Sequence, residues 1–284
     1  MRHILMPVFL FIILLPLSHS QSGWTKPKGG FFGKLDYSHL EADRYYNISG
    51  QQSQSAKFSQ SSLNWYGEYG IIDRLTFISY IPVLRFHSLD NTETVAGVGD
   101  LRLEFKYRLF PDGCLPVSIS IAPDIPTGRS EAEASLVSNP QESINLPTGD
   151  GEFNVWSTLA ISHSWGKVYG SAFGAYNYRT RYKEFELRDL YQVGVELGWN
   201  PLTDLWLNTK LRAQFSTGES RHPDLEFLRG DGTTYTLYSV EAYYKISKNI
   251  GFSATYLSGG EFIAPFRNIY IAPYFSIGII YEKS

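Results

Sequence analysis

The adjacent pair His163-Ser164 sets a potential base beside a potential nucleophile in this sequence. Hydrolysis by serine needs an imidazole within hydrogen-bond reach of the hydroxyl and a third polar group to orient it. Neighbours on an extended chain leave opposite faces, so this pair cannot meet if 152–165 is a strand. His39, His87 and His222 lie near loops with no serine and Asn/Asp at a matching spacing, and "GES" (218–220) lacks the flanking pattern of a nucleophile elbow. No pair of histidines or carboxylates has metal-ligand spacing. "GDGEFN" (149–154) and "GDGTTY" (230–235) read more simply as turns entering strands than as calcium loops. The sequence therefore assigns no catalytic residue, no metal ligand and no cofactor, and an outer-membrane enzyme is the least supported reading.

The chemistry that remains is in rows of charge. Arg102, Glu104, Lys106 and Arg108 alternate with Leu101, Leu103, Phe105, Tyr107 and Leu109. Trp206, Asn208, Lys210, Arg212 and Gln214 alternate with Leu205, Leu207, Thr209, Leu211, Ala213 and Phe215. Glu196, and Glu241 on a later strand, complete the set, Glu196 within a row whose other face is Tyr191, Val193, Val195, Leu197 and Trp199. Rows of this kind act by electrostatic selection when they face a pore, drawing in anionic or phenolate solutes. Placed inside a narrow barrel, they can instead pair with one another and fill it.

A period of two needs β-strands to position it. Segments of strand composition run over 31–40, 58–69, 74–88, 98–110, 116–125, 152–165, 167–181, 189–200, 204–217, 233–247, 249–258 and 270–282. Their connections alternate in length. "YGIIDR", "FPDGCLP", "WGK", "NPLTD" and "SKN" are tight, whereas 41–57, 89–97, 126–151, 182–188, 218–232 and 259–269 are longer and polar. Sorting short turns to one end and long loops to the other is a property of outer-membrane barrels, not of Greek-key sandwiches. The fold class that follows is all-β, a transmembrane antiparallel up-and-down β-barrel of about twelve strands. Its apolar rows face lipid and its charged rows face the lumen. Trp65, Tyr69, Trp165, Tyr169, Trp199, Trp206, Tyr243, Tyr244 and Tyr281, near the tight turns, are candidates for an interfacial girdle.

The chain opens "MRHILMPVFLFIILLPLSHSQSGW". A short basic start, an apolar core too brief to span a bilayer and small residues at Ser18 and Ser20 read as a signal peptide over 1–20, cleaved near Ser20/Gln21. That places the remaining residues, 21–284, as one barrel domain in the outer membrane. With 20 Tyr, 18 Phe, 6 Trp and a net charge of −3, the chain shows neither the composition of a disordered protein nor the basic patch of a nucleic-acid binder. Cys114, the single cysteine, has no internal disulfide partner.

Three stretches carry a family resemblance: "GVGDLRLEFKYRLF" (97–110), "VSISIAPDIPTG" (117–128) and "GDGEFNVWSTLAISHSWGKVYGSAFGAYNY" (149–178). A Gly-Asp turn into an alternating strand, a strand ending in Pro-Thr-Gly and a Gly-rich start to a Trp-bearing hairpin resemble the outer-membrane transporter barrels named for the MetA pathway of phenol degradation. The resemblance covers most of residues 60–282 and carries no catalytic signature. It implies a barrel that passes small hydrophobic or aromatic compounds. The ending "YEKS" departs from the aromatic terminus that the barrel-assembly machinery commonly reads, so either Tyr281 serves that purpose three residues from the terminus or the strand must run on.

Two functions fit these observations. One is a passive channel for a small-molecule solute, with the long loop 126–151 as constriction or lid. The other is a non-transporting barrel that holds envelope structure or binds partners through loops 41–57 and 218–232. The expected partners in either case are outer-membrane lipid and the assembly machinery, with no nucleic acid.

Overall fold

The computed structural model describes residues 21–110, 115–222 and 230–283. The expected signal peptide and Cys114 lie outside the described residues. Twelve long strands follow one another: β1 (Phe31–Tyr46), β2 (Gln52–Ile72), β3 (Leu75–Leu89), β4 (Leu101–Arg108), β5 (Val117–Ile125), β6 (Asn154–Trp165), β7 (Val168–Arg179), β8 (Leu190–Leu202), β9 (Leu205–Ser216), β10 (Tyr235–Lys245), β11 (Ile250–Gly259) and β12 (Tyr274–Lys283). Each pairs antiparallel with the next, and β1 also pairs with β12, Phe31 lying opposite Lys283 and Leu40 opposite Tyr274. The sheet therefore closes on itself and every long strand has two neighbours, which removes the edges that an open sheet would expose. No helix occurs among the described residues.

The alternation sorts the faces as a bilayer requires. On β8, Tyr191, Val193, Val195, Leu197 and Trp199 are exposed on the outer side while Gln192 is buried inside. Tyr191 and Trp199 share that face eight residues apart. At about 3.4 Å per residue and a tilt near 40°, they stand about 21 Å apart in height, close to the ~25 Å apolar band of membrane barrels. Tyr69, Trp165, Trp199, Tyr244 and Tyr281 project outward near the tight turns and form the girdle there. Tyr169, Trp206 and Tyr243 do not belong to it. Their strand parity turns them into the lumen, where all three line one cavity.

Two strands run longer than their hydrophobic pattern. β1 and β2 continue to Tyr46 and back from Gln52, past the expected limits at residues 40 and 58. The added segments, "EADRYY" and "QSQSAK", have no apolar residue at every second position, so backbone pairing extends them without an apolar row to betray it. β4 is shorter than expected. Its ladder with β3 ends at Tyr80 and Arg102, and beyond that point the short strand Val95–Gly97 takes over the pairing with Arg85–His87.

Candidate functional site

The inner wall near the tight turns is built from ion pairs. Lys210 on β9 meets Glu196 on β8 at 2.9 Å, their positions being directly opposite in the ladder. Lys34 on β1 reaches Glu241 on β10 at 2.7 Å, and Thr255 on β11 donates its hydroxyl to the same carboxylate at 2.9 Å. Tyr169 donates its hydroxyl to Glu196 at 2.6 Å, and Asn208 Oδ1 lies 3.1 Å from that hydroxyl. Lys34, Glu241, Lys210, Glu196, Tyr169 and Asn208 border a cavity of about 400 Å³ whose wall also carries the aromatic rings of Trp24, Phe32, Tyr66, Trp206 and Tyr243 and the charged Lys26, Glu68 and Glu282. Aromatic walls with a few fixed polar groups, in a volume of this size, are the usual makeup of a small-molecule site.

Trp24 reaches the cavity because the segment Gln21–Gly30 enters the lumen at the tight-turn end. The Gly23 N–H donates to Ser162 Oγ at 2.7 Å, Ser118 Oγ donates to the Ser22 carbonyl at 3.0 Å and the Lys26 N–H donates to Thr76 Oγ1 at 2.7 Å. Ser162, Ser118 and Thr76 belong to the inward rows of β6, β5 and β3, so the segment crosses the barrel. Two glycines permit the approach. A Cβ on Gly23 would stand 2.0 Å from the Pro116 carbonyl oxygen, and one on Gly70 would stand 1.9 Å from that of Pro27. Trp24 then packs edge-on against Tyr169, ring centres 5.5 Å apart.

The other end of the lumen is filled by loops. Residues 126–151 form a small hairpin, Glu133–Ser135 against Ser143–Asn145. Its Ala132, Ala134 and Leu146 pack against Leu40, Ala42, Tyr45, Phe58 and Leu89 from the inner faces of β1 to β3. The loop is pinned at its base. Asp100 accepts the N–H groups of Gly128 at 2.9 Å and Asp150 at 2.5 Å, Arg85 donates to the Thr148 carbonyl at 2.9 Å, and His87 Nδ1 meets the Pro147 carbonyl at 2.9 Å. Beside it, Arg179 donates its Nε to Glu152 at 2.8 Å and its Nη1 to the Gly230 carbonyl at 3.4 Å, with the Arg179–Glu152 pair fully buried. Outside the barrel, the exposed Lys183 ammonium is hydrogen-bonded to Glu131, which holds its pKa above the ordinary lysine value.

The charged residues singled out from the sequence fall at three levels of this lumen. Glu196, Trp206, Asn208, Lys210 and Glu241 are brought together around the cavity. Arg102 lies nearer the loops, held by Asp124 and stacked 5.4 Å from the Trp156 ring. Gln214 is fully buried at that level and accepts from Gln192 at 2.7 Å and from the Tyr235 hydroxyl at 2.9 Å, with Arg212 beside it on the same row. Glu104 and Lys106 are buried on the inner row of β4. Arg108 stands apart from all of these at the tight-turn rim, where its Nε donates to the Phe110 carbonyl at 3.1 Å.

Sequence spacing did not reveal Lys34, Asp36, Glu68 or the entering segment. Lys34 and Asp36 alternate with Leu35 and Tyr37 and so carried a readable signal; Ser22 to Lys26 carried none. Spacing also missed a contact on the outer face. His39 and Ser61 are direct partners across β1 and β2, with Nδ1 2.9 Å from Oγ. Register supplies this serine, which sequence separation hides. Glu41 stands 4.0 Å from Nε2, too far to orient the ring, so the contact lacks the third member of a hydrolytic triad. His163 and Ser164 do point apart. His163 packs outside on Trp165, while Ser164 faces Trp24 inside.

The geometry defines a closed twelve-strand β-barrel of the outer-membrane type, whose lumen is entered from one end by its own chain and from the other by its loops. The solved structures it resembles are membrane β-barrels. A crystal structure of an outer membrane channel from Pseudomonas putida F1 matches with a TM-score of 0.65 and 16% identity, over 95% of this chain and 100% of that one. The translocator domain of the autotransporter NalP from Neisseria meningitidis matches at 0.52 and 9%, over 89% and 88%, and the NanC porin at 0.50 and 9%, over 87% and 98%. No family model matches the chain, and no curated protein is similar to it in sequence.

Proposed function

We propose that this barrel is a passive outer-membrane channel for small hydrophobic or aromatic solutes, with the tight turns on the periplasmic side and the long loops outside. The observation that carries this reading is the cavity of about 400 Å³ inside the barrel, walled by Trp24, Phe32, Tyr66, Tyr169, Trp206 and Tyr243. Six aromatic faces suit a flat apolar solute, and the ion pairs beside them keep the wall wet without leaving a bare charge. The resemblance of the turn motifs to those of the phenol-degradation transporter barrels supports the same class of solute. Passage requires the entering segment at one end and loop 126–151 at the other to yield, so the channel is narrow and selective rather than a general pore.

A second reading has an observation of its own. Both mouths are packed, and a barrel closed in this way would serve envelope structure or surface binding. Solute entry separates the two. Liposomes carrying the refolded chain are expected to swell faster than empty ones in solutes below a few hundred daltons, and phenol is expected to quench the tryptophan fluorescence contributed by Trp24 and Trp206. Swelling no faster than in empty liposomes, together with unquenched fluorescence, would leave the closed-barrel reading standing.

A further inference from the structure

Most of the inward cations described above have an answering carboxylate. Lys34 has Glu241, Lys210 has Glu196, Arg102 has Asp124 and Arg179 has Glu152. Arg212 has none within ion-pair range among the described residues. It is 4% exposed, and its Nε and Nη2 are buried with no hydrogen-bond partner. The polar groups nearest to it along the wall are already committed to each other, Gln192 to Gln214 and the Tyr235 hydroxyl to Gln214. Neither residue directly opposite Arg212 offers a polar side chain. Its direct ladder neighbours are Gly194 and Leu237. The space a side chain at Gly194 would take is filled by the Phe173 ring, 2.5 Å from where a Cβ would lie. Tyr235 presents its ring 5.8 Å from the guanidinium carbon.

A buried guanidinium fork without a partner is unfavourable, because two of its donors have given up water for nothing. A planar carboxylate is the ligand whose two oxygens match that fork. We propose that Arg212 is the recognition point for a solute carboxylate, with the solute's apolar body lying against Phe173 and Leu237. Arg212 sits two residues beyond Lys210 on the same face of β9, about 7 Å farther toward the loops. Lys210 itself lines a smaller space of about 50 Å³ with Ser239 and Tyr274. A bound acid therefore stands between the aromatic cavity and the loop plug, on the path a solute must follow. The inference rests on the channel reading and narrows its solute class to apolar monocarboxylates.

Benzoate and its neutral isostere benzamide are the probes. Titration calorimetry on the full detergent-solubilised barrel is expected to show benzoate binding at least tenfold more tightly than benzamide. Arg212→Gln abolishes that difference, and Arg212→Lys, which keeps the charge but not the fork, retains part of it. Leu237→Glu gives Arg212 a carboxylate of its own from the facing strand, so it abolishes benzoate binding while the barrel still assembles; this variant serves should Arg212→Gln fail to fold. Equal binding of the two probes by the unaltered chain, or a benzoate preference that survives in Arg212→Gln or Leu237→Glu, overturns the proposal. Liposome swelling with the same two solutes keeps the readings apart. Binding without entry supports the site and overturns the channel alone, whereas entry with no benzoate preference overturns the site alone.

Discussion

The two halves of the lumen are built by different means. The half near the tight turns is a wall: charges from neighbouring or facing strands meet in pairs, and the space they enclose stays open. The half near the loops is a plug. Chain that belongs to no long strand folds into the mouth and buries alanine and leucine against the inward faces of β1 to β3. A wall of paired side chains tolerates the loss of one member, since water can enter and solvate the other. A plug does not, because its buried groups have no such alternative.

Removing a partner from the plug should therefore have the largest effect. Glu152→Ala leaves the Arg179 guanidinium buried without its carboxylate, and the expected loss is about 3–5 kcal/mol. Denaturant unfolding of the barrel in lipid vesicles would measure it, and an Arg179→Met change added to Glu152→Ala should recover most of the loss. If Glu152→Ala unfolds like the unaltered chain, the plug is not the rigid half.

The next test contrasts the two faces of a single wall strand. Leu207→Arg turns a cation toward mid-bilayer lipid at a cost of about 2–4 kcal/mol and should impair assembly. Lys210→Gln, three residues along on the inner face, should leave assembly intact and shift ion preference toward cations, as read from the reversal potential across a planar bilayer. A reversed outcome would invert the assignment of faces.

A third change loosens the tight-turn end without touching the wall. Gly23→Val places atoms where the Pro116 carbonyl stands, so the entering segment cannot seat. Conductance is expected to rise severalfold while the unfolding midpoint stays close to that of the unaltered barrel. Unchanged conductance would mean that the segment does not restrict the path. The smallest effect is expected at Lys183, whose pairing with Glu131 is exposed to solvent. Lys183→Ala should leave the denaturant unfolding midpoint where it is in the unaltered chain, as expected of an exposed surface pair.

The wall was legible in the sequence, whereas of the plug only its loop, 126–151, could be singled out and none of its contacts, for a physical reason. Strand parity repeats every two residues, so Arg102, Glu196, Lys210 and Glu241 could be assigned to one face from "LRLEFKYR" and similar runs before any contact was known. Nothing comparable marks Ala132, Leu146 or Trp24. Their positions depend on where an irregular backbone doubles back, and that path is fixed by distant partners such as Asp100 and Ser162. The girdle shows the limit of composition used without parity. Tyr169, Trp206 and Tyr243 have the right residue type at the right height, yet they turn inward. Register has the same effect on His39 and Ser61, which no reading of spacing would have joined.

Gly23 and Ser162 are hydrogen-bonded across a separation of 139 residues. The segment carrying Gly23 emerges before any of the strands that hold it, yet its seat exists only after β5 and β6 are in place. Nothing local can seat the segment, so its closure of the lumen depends on the very barrel that it closes.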